Sequence, residues 1–186
     1  MATQIELTKN YSGIFGNRVM ILNRNGKSIM TIPLKRTGTT VPTTNMVIAR
    51  RRFTHAAQYA KNILQDPAML AFYAAKTRKG LTPYLAALSD YLKPPVVEDI
   101  DVTAYHGNAG DNIAVTAIDD FAVAAVTVKI TDSAGILLED GPGTPDPVTG
   151  IYNYTATADI ADPAGVTITA TATDTPGNKA QLTITL

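Results

Sequence analysis

The hydrophobic pattern of this chain changes period once. Before Lys93-Pro94-Pro95 the longer apolar stripes recur every three or four residues; after it, apolar and small polar residues alternate. The first period is that of amphipathic helices and the second that of half-buried strands. From Thr44, the positions Met46, Ala49, Phe53, Ala57, Ala60 and Leu64 predict a helix over about 44–65. Asp66-Pro67 restarts a second helix that runs through Met69, Leu70, Phe72 and Tyr73 to Gly80, and Thr82-Pro83 starts a third ahead of Leu85, Leu88 and Leu92. Both starts pair an oxygen-bearing cap with a proline that has no N–H to waste in the first turn. Upstream, Arg18–Leu22 and Ser28–Ile32 are β-prone runs joined through Asn25-Gly26, which predicts a hairpin at about 17–33.

Beyond the prolines, Val126, Val128 and Ile130 alternate with Thr127, Lys129 and Thr131; Ile168, Ala170 and Ala172 alternate with threonines. Seven short strands are expected, at about 98–105, 112–118, 122–132, 135–139, 151–158, 165–173 and 179–186, with turn-forming residues in nearly every gap. The expected fold is therefore α+β: a hairpin and three short helices over residues 1–95, then an immunoglobulin-like seven-stranded β-sandwich over 96–186.

Charge divides at the same place. The 186 residues carry 16 basic and 16 acidic side chains, but residues 1–95 hold 14 basic and 3 acidic ones, and residues 96–186 hold 2 and 13. A neutral chain is thus a strong dipole, and such asymmetry bears on partners rather than on fold. The absence of cysteine excludes disulfides, thiolate metal sites and thiol nucleophiles. No apolar run reaches the length of a membrane span. Met1–Glu6 shows no Sec-type leader, so a cytoplasmic or particle-associated protein is expected unless a leader was removed.

The segment Ala117–Val123 followed by Val126-Thr127-Val128, and the later Ala172-Thr173-Asp174-Thr175-Pro176-Gly177-Asn178, resemble bacterial Ig-like repeat domains, in which an Ala-x-Asp-x-x-Gly-Asn turn joins the last two strands. The resemblance covers residues 96–186 and implies a spacer, adhesin or virion-decoration role rather than a reaction. The basic half is similar to N-terminal regions of uncharacterised bacterial proteins, through Gly13-Ile14-Phe15-Gly16-Asn17 and the arginine-rich helix.

Catalysis finds little support. Asn25-Gly26-Lys27-Ser28 ends like a phosphate-binding loop, but Ile21 stands where that loop needs its first glycine. His55 and His106 lack the neighbours that would make a base and its orienter. No enzyme activity, cofactor or small-molecule substrate is expected. Asp101, Asp119, Asp120, Asp174 and Asn178 are oxygen donors that strand connections could gather around Ca²⁺, though Asx turns explain the same residues and no metal is assigned.

Arg24, Lys27, Arg50, Arg51 and Arg52 are assigned to a basic interaction surface, with Arg18, Lys35, Arg36, Arg78 and Lys79 adding to the field. Asp119, Asp120, Glu139, Asp140 and Asp174 are assigned to an acidic one. If Lys93-Pro94-Pro95 holds the halves apart, the basic face of one copy can meet the acidic face of the next, and such head-to-tail contacts build rings or filaments. The expected function is therefore a self-assembling subunit or an accessory of a larger particle. The alternative is a nucleic-acid or polyanion binder with the sandwich as spacer. Against the alternative, three consecutive arginines on a helix fan over about 200° and cannot line one groove. The apolar arm around Ile5, Leu7 and Tyr11 could also add to a neighbour's sheet edge.

Overall fold

The computed structural model describes residues 12–16, 18–24, 27–33, 41–77 and 80–186, which form an α+β protein of three helices and three antiparallel sheets. The first sheet is a meander of β1 (Gly13–Phe15), β2 (Val19–Arg24) and β3 (Lys27–Thr31). Arg24 stands opposite Lys27, so the expected hairpin is the β2–β3 pair with a two-residue connection. Its turn residues Asn25 and Gly26, the side chains of Arg24 and Lys27, and the arm before Ser12 lie outside the described residues, as do Lys35, Arg36, Arg78 and Lys79. The third strand, β1, was not expected; it pairs Ile14 with Met20.

Helices α1 (Thr44–Ile63), α2 (Pro67–Ala75) and α3 (Pro83–Leu92) each begin on a side-chain cap. Thr43, Asp66 and Thr82 accept backbone N–H bonds from Met46, Ala68 and Leu85, each satisfying a donor that the first turn leaves orphaned. The buried stripe of α1 is Ala56 and Ala60, which pack with Tyr73, Ala86, Ala87 and Leu88. The expected stripe holds only in part: Ala57, Ala60 and Leu64 are covered, whereas Met46, Ala49 and Phe53 are exposed. Length explains the difference. With 20 residues α1 is about 30 Å long, while the 10 residues of α3 span about 15 Å, so α3 can cover only part of it. No described helix is long and apolar enough to cross a membrane.

The remaining strands are β4 (Val96–Asp101), β5 (Asn112–Ile118), β6 (Val123–Thr131), β7 (Leu137–Pro142), β8 (Thr144–Pro145), β9 (Tyr152–Thr155), β10 (Thr167–Asp174) and β11 (Lys179–Thr185). They form two four-stranded sheets, ordered β4-β5-β9-β8 and β11-β10-β6-β7. One element per expected strand is present, and the two-residue β8 makes eight rather than seven. Period two is the reason these segments pair as they do. In β10 Ile168, Ala170, Ala172 and Asp174 are buried, while Thr167, Thr169, Thr171 and Thr173 face outward. On that outer face the Thr169 and Thr183 hydroxyls lie 3.1 Å apart across the β10–β11 pair. The inner residues of both sheets, among them Ile100, Ile113, Val115, Val128, Ile130 and Ile168, share one apolar core. A fully buried aliphatic side chain contributes roughly 1.5–3 kcal/mol, so this core is the main cohesive term of the C-terminal half.

Lys93-Pro94-Pro95 does not hold the halves apart. Pro95 is fully buried, and Phe121, from the β5–β6 turn, belongs to the apolar cluster of the helices. Its ring meets Tyr73 edge-on at 6.0 Å, and the Lys76 ammonium donates to its carbonyl. Phe121→Ala should cost about 3–5 kcal/mol. In urea the helical signal should then unfold ahead of the strand signal, whereas one coincident transition at the wild-type midpoint would contradict the plug.

Candidate functional site

Two features stand out as sites. The first is the overhang of α1. Ile48 and Phe53 are 59% and 55% exposed, and Met46 and Val47 are exposed beside them. A shallow groove lined by Ile48, Arg51, Arg52, His55 and Tyr91 continues into one lined by Asn45, Ala49, Phe53 and Leu92, with Ile48 and Arg52 common to both. Arg50, Arg51 and Arg52 are all exposed on this helix. Arg52 also caps α3, because its Nη2 donates to the Leu92 carbonyl at 2.7 Å. A cation there satisfies an orphan carbonyl and meets the negative end of the α3 dipole. The result is an apolar depression with a cationic rim.

The second feature is the seam between α3 and two turns of the sandwich. Asp174, Gly177 and Asn178 form the β10–β11 turn expected from the Ala-x-Asp-x-x-Gly-Asn pattern. Asp174 Oδ1 accepts the Asn178 N–H at 2.6 Å, Oδ2 accepts its side-chain amide at 2.7 Å, and Gly177 sits at φ +93°, where a side chain would be strained. The same Asn178 amide donates to the carbonyls of Asp90 and Tyr91 at 3.3 and 3.2 Å. One turn residue therefore closes its own loop and caps the end of α3. In the β5–β6 turn, Asp119 Oδ2 accepts the N–H groups of Phe121 and Ala122 at 2.8 and 2.9 Å, which aims Phe121 at the helices.

Asp90 faces both turns from α3. It is 1% exposed, and its Oδ2 accepts the Tyr73 hydroxyl at 2.6 Å. The Tyr59 hydroxyl lies 3.1 Å from that of Tyr73 and so donates into the same chain. Asp90 Oδ1 is buried with no hydrogen-bond partner among the described residues. Burial pushes the Asp90 carboxyl up to about 6 against the opposing effect of the Tyr73 hydrogen bond, and the charges of Asp119 and Asp174 add to the rise. Burial and the bond to Asp90 likewise push the Tyr73 hydroxyl up.

The residues assigned from the sequence to an acidic surface separate into two kinds. Asp120 is exposed and pairs with Lys93 at 2.5 Å, and Asp140 is exposed on β7. Glu139 and Asp174 are only 8% and 2% exposed, which removes them from any docking face. A buried carboxylate persists where several donors meet it. Glu139 Oε2 accepts from the Tyr154 hydroxyl and from the backbone N–H and hydroxyl of Thr157, at 2.7–3.1 Å. Asp119 is half-buried. Asp101, the remaining acid of the calcium reading, accepts the Thr103 N–H at 2.9 Å as an Asx turn. Asp90 carried no sequence signal beyond being an acid in a basic half; only the fold brings it to Asp119 and Asp174. His55 lines the α1 groove, and the backbone N–H of His106 donates to Asp111 in a separate loop.

No family model and no curated protein matches the chain. Among solved structures it is similar to a tetra-tandem repeat in the extending region of a large adhesion protein, at 28% identity and a TM-score of 0.31. The match covers 50% of this chain and 23% of that one, so the chain spans less than a quarter of its neighbour's length.

Asn178→Ala should cost about 1–3 kcal/mol by taking the amide donor from the Tyr91 carbonyl and from Asp174 Oδ2, while the Asp90 carbonyl keeps the Lys93 N–H. The urea midpoint should fall at unchanged slope; a midpoint within error of wild type would show that water replaces the amide without loss.

Proposed function

We propose that this is a non-enzymatic interaction protein, a self-assembling subunit or accessory of a larger particle, in which the basic, apolar α1 face of one copy docks on the acidic sandwich of another. The reading rests on the overhang of α1. An apolar groove rimmed by Arg51 and Arg52, with Arg50 exposed beside them on the same helix, asks for a partner with both apolar and acidic groups. The chain itself carries that complement: residues 96–186 hold 13 acidic side chains against 2 basic ones, and Glu98, Asp99 and Asp101 are exposed on β4. Opposed fields of this size speed encounter and set register, while apolar burial supplies the affinity. The contact joins two different faces and therefore propagates unless rotation closes it into a ring.

The sandwich is best understood as Ig-like. In support, β4, β5, β9 and β8 fall in one sheet and β6, β10 and β11 in the other, which matches the A-B-E-D and C-F-G grouping of that fold. β7 then extends the second sheet beyond β6. A polyanion is the lesser reading for α1, because Ile48 and Phe53 lie among its cations and Arg52 is already engaged with Leu92.

Light scattering at low and high salt, with and without DNA, distinguishes these readings. Mass should grow with concentration in the absence of DNA. The double variant Arg50→Glu/Arg51→Glu and the apolar variant Ile48→Asp should each abolish that growth. A monomer at every salt concentration that nevertheless binds DNA would replace assembly with polyanion binding.

A further inference from the structure

The α3 seam gathers three carboxylates, of which Asp119 and Asp174 close their turns and Asp90 faces them from the helix. One carboxylate oxygen from each of Asp90, Asp119 and Asp174 lies within 4.8 Å of the others. Two of the three residues are buried, and like charges at such separation in a poorly hydrated site repel strongly. The hydrogen bonds already described use Asp119 Oδ2, both oxygens of Asp174 and Asp90 Oδ2. None of them reaches Asp90 Oδ1, a fully buried oxygen without a donor among the described residues, in a carboxylate that faces the other two. Glu139 Oε1 is likewise buried without a donor among the described residues, but it belongs to no such carboxylate cluster; at the seam the unmet oxygen and the gathered charge coincide. The Lys76 ammonium attracts Asp90 but is held by the Phe121 carbonyl, and the Lys93 ammonium is paired with Asp120.

We propose that Asp90, Asp119 and Asp174 bind one Ca²⁺ at the seam between α3 and the β5–β6 and β10–β11 turns, and that the ion locks the helices onto the sandwich. Every donor is a hard oxygen, with neither imidazole nor thiolate in the set, which selects Ca²⁺ or Mg²⁺ over zinc or copper. Oxygens on opposite sides of one ion stand about 4.6–5.2 Å apart around Ca²⁺ and about 4 Å apart around Mg²⁺. Separations within 4.8 Å fall inside one Ca²⁺ coordination sphere. The ligands come from a helix and two separate turns, an arrangement that tolerates the irregular geometry of Ca²⁺ better than the strict octahedron of Mg²⁺. The ion would answer the unmet Asp90 oxygen and offset the carboxylate repulsion. Because each ligand sits on a different segment, it would also couple the two halves at the point where Phe121 and Asn178 already join them. The site is separate from the α1 face and does not depend on the assembly reading.

The test uses the full chain after chelator treatment. Isothermal titration with CaCl₂ should show one site per chain, and Ca²⁺ at about one hundred times its dissociation constant should raise the melting temperature by about 5 °C or more. Mg²⁺ should do so more weakly. The chain contains no tryptophan, so tyrosine is the antenna for bound Tb³⁺. With the Tyr73 hydroxyl 2.6 Å from Asp90, tyrosine-sensitised Tb³⁺ emission should appear and be displaced by Ca²⁺. Asp90→Asn keeps an acceptor for Tyr73 and should stay folded while losing both the heat and the emission; Asp119→Asn should weaken binding roughly tenfold or more. Asp140→Asn, on exposed β7, should change nothing. A folded wild type with no heat, no thermal shift and no Tb³⁺ emission at about 1 mM ion would overturn the proposal. So would a Ca²⁺ response that survives intact in Asp90→Asn. If Asp90→Asn raises the melting temperature while wild type ignores Ca²⁺, the carboxylates are managed by a shared proton and the site is not a cation site.

Discussion

A ten-residue helix ends in carbonyls that have no partner within the helix, and the C-terminus of α3 is where the molecule is joined. Arg52 reaches across from α1 to Leu92, and Asn178 reaches from the sandwich to Asp90 and Tyr91. The same few residues of chain thus receive donors from both sides. Phe121 adds the apolar part of the joint by leaving its own sheets for the helical cluster. With Pro95 buried directly after the helix, the halves cannot separate without exposing a plug and withdrawing the Asn178 amide from the end of α3. The connection is a seam, and a flexible spacer would have none of these features.

That seam also orders the electrostatics. A net +11 half and a net −11 half meet there, yet the seam also gathers acids within 4.8 Å of one another: Asp90 from the basic half with Asp119 and Asp174. Bulk charge therefore does not describe the joint. The exposed Lys93–Asp120 pair is the one ion pair of conventional sense among the seam residues discussed, and at the surface it adds little. Hydrogen bonds to turn N–H groups hold Asp119 and Asp174, as they hold Glu139 within the sandwich. The field of the acidic half at a distance comes instead from carboxylates that face solvent, which are the ones available to a partner.

The helical half buries its apolar residues unevenly for a geometric reason. α1 outruns α3, so its second half packs on Tyr73 and Ala86 while its first half carries Ile48 and Phe53 into solvent. A stripe that is continuous along the helix becomes core at one end and surface at the other. Exposed apolar residues beside arginines are a different object from a solvated charge run.

Local physics was legible in the residues alone. Asp66-Pro67 and Thr82-Pro83 start their helices as capping chemistry requires, the threonine-rich alternation forms the strands, and Asp174–Asn178 forms its turn, because each depends on neighbours within a few positions. The break at Lys93-Pro94-Pro95 was equally plain, since proline cannot continue a helix. What the residues could not disclose is which of them would meet across that break. Phe121 belongs to the other half's core, and Glu139 and Asp174 lie inside rather than on an acidic face. Asp90 joins acids 29 and 84 positions away. Burial and charge proximity are properties of packing, and packing brings together residues whose sequence separation carries no periodic signal.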